Sequence, residues 1–248
     1  MSQIFKLFCL AFLFAFQSLI SGCASEEKNL STAEGAFKYA QEFDQAERYE
    51  MALNKYADVK NKFPYHSLAT EAELAIADVN YKRESFAEAQ LAYQNFRDLH
   101  PKHPKIDYVV YRIGMSFFSQ LPETYDRDLS LGNDAIYYFD ELIRAYPKSQ
   151  YVLEAKQKKD ETFKMLSEKE LYIADFYFKQ KKYSAALRRY ESTLQKISGI
   201  GFDPRAHLGA ARSALKIEDS SKQKYHVQML QKQYPQSDEA AKARSEGL

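Results

Sequence analysis

One spacing recurs along this chain and limits what it can fold into. Ala52, Tyr56, Val59 and Pro64 make an Ala-x3-aromatic-x2-apolar-x4-Pro pattern within Tyr49–Pro64, YEMALNKYADVKNKFP. It returns as Ala89, Tyr93, Phe96 and Pro101, and again as Ala135, Phe139, Leu142 and Pro147. Apolar residues four and then three apart fall on one face of an α-helix. The proline closes that helix, because it lacks an N–H and its ring clashes with the preceding turn. Three copies predict a tandem array whose units stack, since one short unit cannot bury its apolar stripe alone.

A small residue stands twelve positions before the first alanine of two copies, at Ala40 and Ala77. Ala174 and Ala186 keep that interval, with Tyr190 as the aromatic, and Ala211 marks a fifth unit that ends in Val227, Leu230 and Pro235. This order of small residue, alanine, aromatic and proline resembles the tetratricopeptide pattern of paired helices. The expected fold class is all-α, a tetratricopeptide α-solenoid of about five helix-turn-helix repeats. The repeats are expected to start near 33, 70, 107, 167 and 204 within a domain spanning 33–248. In the third, Gly114 takes the small position, and the distance to Ala135 is nine residues too long. An insertion over 120–132, with Pro122 and Gly132 as breakers, accounts for the excess. Ser149–Ser167 reads as a polar helical run that continues into the fourth repeat. The last repeat is degraded, with Gln223 and Val227 where alanine and an aromatic are expected, as suits the capped end of an array.

The N-terminus follows different rules. Lys6 precedes an unbroken apolar run, Leu7–Phe16, which is short for a bilayer span but fits a signal segment. Leu19-Ile20-Ser21-Gly22-Cys23 then resembles a bacterial lipobox. We expect a signal peptide over 1–22, lipidation of Cys23, and a flexible tether over 23–32. Cys9 leaves with the signal, so the mature chain has one cysteine and no internal disulfide. Without residues 1–22 the charges balance at 34 basic and 34 acidic, which argues against nucleic acid and against electrostatic membrane attachment. The membrane would be reached through the N-terminal lipid.

No catalytic constellation is visible. There is no Gly-rich phosphate loop, no G-x-S-x-G and no H-E-x-x-H. Of five histidines, only His100 and His103 sit close together, and Pro101 and Pro104 make that stretch a turn rather than a metal site. The expectation is a non-enzyme without metal or cofactor. The first helices of repeats one to three would offer Phe37, Gln41 and Asp44, then Leu74, Asp78 and Tyr81, then Tyr111, Met115 and Phe118. Lys38, Lys82 and Arg112 lie beside them. Aromatics flanked by cations suit an extended peptide with aromatic side chains and a terminal carboxylate. Some of these positions would equally serve as packing between repeats. Asp126-Arg127-Asp128 in the insertion reads as an ion-pair cluster or a partner contact. Arg188-Arg189 reads as a solvated face or a contact.

Several stretches together resemble the BamD family, lipoprotein subunits of the outer-membrane β-barrel assembly machinery. They are LHPKHPKIDYVVYRIGM at 99–115, YDRD at 125–128, AYPKSQY at 145–151 and IADFYFKQKKYSAALRRYE at 173–191, together with the lipobox. The resemblance implies a periplasm-facing scaffold, lipid-anchored at Cys23 to the outer membrane. Its N-terminal repeats would receive unfolded outer-membrane protein precursors, and its C-terminal repeats would dock on BamA among other machinery subunits. It further implies partner contacts at Asp126, Arg127 and Asp128, and at Arg189. The last repeat and tail depart from the family pattern. A tetratricopeptide lipoprotein of pilus or envelope-division machinery is the competing expectation.

Overall fold

The computed structural model describes residues 29–196, 199 and 201–248. The expected signal peptide, Cys23 and most of the tether lie outside these residues. Eleven α-helices follow one another in the described chain: α1 Ala33–Gln45, α2 Tyr49–Lys62, α3 Ser67–Lys82, α4 Phe86–Leu99, α5 Ile106–Ser119, α6 Leu131–Ala145, α7 Val152–Lys179, α8 Tyr183–Lys196, α9 Asp203–Lys216, α10 Ser220–Gln233 and α11 Asp238–Ser245. Consecutive helices pair as hairpins, so the protein is all-α and of the tetratricopeptide α-solenoid class, with about five repeats. The chain divides into two compact units, one ending at Val79 and the other beginning at Asn80. No described helix is long and apolar enough to cross a membrane.

The turns within the hairpins repeat one local geometry. Glu47, Glu84, Lys181 and Glu218 all have positive φ, between 55° and 62°. Each closes a Schellman motif. The N–H of the next residue reaches back five positions: Arg48 to the Phe43 carbonyl, Ser85 to Asn80, Lys182 to Tyr177 and Asp219 to Ala214. The third hairpin lacks this turn and carries the 120–132 insertion instead. The helix-ending prolines behave alike. Phe63, His100, Tyr146 and Tyr234 each donate an N–H back four residues, and a proline follows each of them.

The spacing residues form the core. Ala52, Ala89, Ala135 and Ala186 are fully buried, and Tyr56, Tyr93, Phe139 and Tyr190 are at most 2% exposed. In the first unit Tyr56 and Val59 pack with Ala36, Ala40, Phe43 and Ala52. In the second unit Tyr190 packs with Leu171, Ala174, Leu187, Ala206 and Ala210. The long α7 buries Thr162 and Ser167, whose hydroxyls donate to the Lys158 and Phe163 carbonyls at 2.7 and 2.8 Å, so neither is left unpaired. His100 and His103 pack on the Phe96 ring, with centroids 4.9 and 5.0 Å away.

Gly209 lets α8 and α9 approach closely in the second unit. A Cβ there would lie 2.3 Å from a Tyr190 ring carbon. The ring cannot retreat freely, because its hydroxyl donates to Asp175 at 2.5 Å. Gly209→Ala gains up to about 1 kcal/mol of helix propensity. Overpacking costs about 1–3 kcal/mol. With that gain subtracted, the expected result is a net loss of up to about 2 kcal/mol, read from the midpoint of urea unfolding. A stabilised Gly209→Ala protein would show that the ring is not held.

Candidate functional site

The expected groove residues divide by depth. In the first unit Lys38 and Gln41 are exposed on α1, while Phe37 is half-buried with its ring 5.3 Å from Tyr56. Asp44 and Asp78 are half-buried. Leu74 is 2% exposed and belongs to the packed interior. In the second unit Lys82 is exposed, and Tyr81, Arg112 and Phe118 are half-buried. Tyr111 and Met115 are 5% and 9% exposed. A peptide could touch Leu74, Tyr111 or Met115 only if they were uncovered.

Arg112 is the centre of the second-unit set. Its guanidinium lies 3.6 Å from the centroid of the Tyr81 ring, and its Nε donates to the Tyr93 hydroxyl at 3.3 Å. The Tyr81 hydroxyl and Ser119 Oγ are 3.1 Å apart. Tyr111 stacks on Tyr151, with centroids 4.8 Å apart and planes 13° from parallel. Burial, followed by the Glu154 carboxylate, pushes the Tyr111 phenol well above its usual range. Lys158 Nζ sits 4.8 Å over the Phe118 ring. Arg112 is therefore committed to an aromatic box rather than standing free for an anion.

The insertion and Arg189 each contact α7. Asp126, Arg127 and Asp128 are all exposed. Asp128 accepts from Ser130 N and Oγ at 3.0 and 2.9 Å, which fixes the entry to α6 and holds its carboxyl below the usual range. Lys169 Nζ donates to the Arg127 carbonyl at 2.5 Å. The next residue on α7, Glu170, accepts from Arg189 Nη1 at 3.0 Å. Two adjacent α7 residues thus join the sets that the sequence separates. Close by, Tyr125 of the insertion packs on Tyr172, with centroids 5.6 Å apart. Tyr125, Tyr172 and Phe176 are 39%, 48% and 51% exposed. Sequence reasoning missed Lys169, Glu170, Tyr172 and Phe176. The four-residue interval between Tyr172 and Phe176, set against inward Leu171 and Ala174, was the available signal.

The described residues hold no group of three metal-ligating side chains. Helical hairpins with exposed aromatic and charged faces define a protein-binding scaffold. Residues 30–200 match the family model of the YfiO outer membrane lipoproteins. The chain belongs to that family. It is 36% identical over 163 residues to the outer membrane protein assembly factor BamD of Buchnera aphidicola, covering 61% of this chain and 66% of that one. It is 30% identical over 177 residues to the BamD of Neisseria meningitidis strain Z2491, covering 68% and 65%. The matches thus span just under two thirds of the length of these relatives. Among solved structures, Pseudomonas aeruginosa pilF aligns over 88% of this chain and 83% of its own at 17% identity, with a TM-score of 0.39. That likeness is too loose to favour a pilus role.

Proposed function

We propose that this protein is a lipid-anchored scaffold of the β-barrel assembly machinery at the periplasmic face of the outer membrane. In this reading it binds BamA and unfolded barrel precursors. Membership in an outer membrane lipoprotein family, and relatives named as assembly factors, support the setting. Cys23 would carry the lipid. The observation that carries the partner contact is the exposed part of α7, where Tyr125 of the insertion packs on Tyr172 near exposed Phe176 and where Lys169 and Glu170 hold the Arg127 carbonyl and the Arg189 guanidinium. Exposed aromatics beside an arginine are the residue types that dominate binding energy at interfaces. Precursor binding would fall to Phe37, Lys38, Gln41 and Asp78 in the first unit, and to Tyr81, Lys82 and Phe118 in the second, with Arg112 holding the Tyr81 ring in place.

The test combines Arg189→Glu with Phe176→Ala in the full-length protein, read by co-purification of BamA from native membranes. Loss of one anchor at about 1.4–2 kcal/mol lowers affinity tenfold or more. The doubly substituted protein should fold normally by circular dichroism yet bring down little BamA, and folded barrel levels should fall. Wild-type recovery of BamA would remove the α7 face from the proposal. Unchanged barrel levels after depletion of the protein would remove the assembly role.

A further inference from the structure

We infer that the cavity between α7, α9 and α11 is a binding site for an acidic peptide side chain, and that the protein's own Glu246 occupies Arg212, one of the cations lining it. The cavity measures about 320 Å³. Its apolar wall is Phe178, Leu208 and the Tyr190 ring, the last seated on the bare backbone of Gly209. The charged lining is unbalanced. Four cations, Lys179, Arg205, Arg212 and Lys242, face two carboxylates, Asp175 and Glu239. Asp175 is already engaged, because it pairs with Arg205 and accepts from the Tyr190 hydroxyl. The remaining positive charge favours an anionic visitor.

Arg212 shows how that anion is held. Its Nε donates to Glu246 Oε2 at 2.8 Å, and Nη2 donates to Oε1 of the same carboxylate. This parallel two-bond fork is the geometry by which arginine recognises a carboxylate. Glu246 is the residue that follows α11, and its side chain is partly exposed. The helix is anchored separately, through Ala240 and Ala243 packed with Leu208 and Leu230. The carboxylate can therefore leave Arg212 while α11 stays in place. A tethered side chain of this kind competes with any incoming one through its effective concentration. The occupant is a side-chain carboxylate, so the visiting group is taken to be a glutamate or aspartate next to an apolar residue that fills the cavity. This inference does not depend on the assembly role.

The experiment is fluorescence anisotropy with the full chain and three labelled, C-terminally amidated or free pentapeptides. One is Gly-Ser-Gly-Glu-Phe amide, the second has Gln in place of Glu, and the third is the Gln peptide with a free C-terminus. Glu246→Gln should tighten the Glu peptide about threefold or more by removing the internal competitor. On that background Arg212→Gln should weaken it about tenfold or more. Arg212→Lys, which keeps the charge but loses the fork, should fall in between. The amidated Gln peptide should not bind. Preference for the free-terminus Gln peptide would overturn the assignment to an acidic side chain. Equal binding of Glu and Gln peptides, or no gain from Glu246→Gln, would overturn the site. Those two comparisons decide the matter even if the Arg212 variants unfold.

Discussion

Phe139→Ala should cost about 3–5 kcal/mol of folding stability, the range for removing a fully buried phenylalanine ring. The ring is 0% exposed, and a Cβ on Gly114 would lie 2.8 and 2.9 Å from two of its carbons. The phenyl face rests on the bare backbone of α5, so the space it leaves cannot be refilled by a neighbouring side chain. Against a typical total stability of about 5–15 kcal/mol, the loss brings the protein close to unfolding at physiological temperature. Chemical denaturation read by circular dichroism gives the value directly. Tyr137, two positions away on the same helix and 59% exposed, supplies the contrast. Tyr137→Ala should change stability by about 0.5 kcal/mol or less. The pairing with Gly114 makes the prediction sharper. Gly114→Ala alone overpacks, yet in the Phe139→Ala background its methyl group enters the vacated space, so the double variant should lose less than the two single losses added. Simple additivity would mean that the ring and the glycine do not meet.

That contact shows why much of the fold was legible. The Ala-aromatic-apolar-Pro spacing is a statement about which side of a helix is buried, and Ala52, Tyr56, Val59 and their counterparts are buried accordingly. The hairpin turns were not legible. Left-handed turn positions are usually read from glycine or asparagine, but here Glu47, Glu84, Lys181 and Glu218 adopt them. Exposure of their side chains and the back-bonded Schellman geometry offset the cost of positive φ, and neither leaves a residue-type signature. The binding faces were only half legible for a related reason. Helical phase places Tyr111, Met115 and Phe118 on one side of their helix, but it does not say what lies opposite. Arg112 looked like a surface cation until Tyr81 and Tyr93 were found around it. The joining of Asp126–Asp128 to Arg189 through Lys169 and Glu170 depends on tertiary packing across a long insertion. No local pattern encodes it. The same holds for His207 and His226, which look like isolated surface histidines in sequence and are buried together in the fold.

Acidification should unlock this last repeat. His207 and His226 are 5% and 1% exposed, and their Nδ1 atoms are 3.0 Å apart. At that distance one nitrogen donates and the other accepts, so at least the accepting ring must be neutral and protonation of both rings breaks the bond. Burial, and then the neighbouring His226, pushes His207 down to about 4, with Asp203 opposing the shift. Burial likewise lowers His226, although Glu191 stands 3.5 Å from its Nε2 and pulls the other way. Lys222, Tyr225 and Tyr234 complete the surroundings of the pair. The unfolded chain takes up these protons first, near pH 6.5, so stability is complete above that pH and falls as the solution is acidified toward 4. For His207 alone the fall amounts to about 3 kcal/mol. His207→Gln keeps a hydrogen-bonding group opposite His226 but cannot titrate. Denaturation midpoints between pH 7.5 and 4 should therefore drop more steeply for the natural protein than for His207→Gln. The carboxylates, Asp203 included, titrate in both proteins and largely cancel in the comparison. Parallel curves would show that the paired histidines do not control the acid sensitivity of the C-terminal repeat.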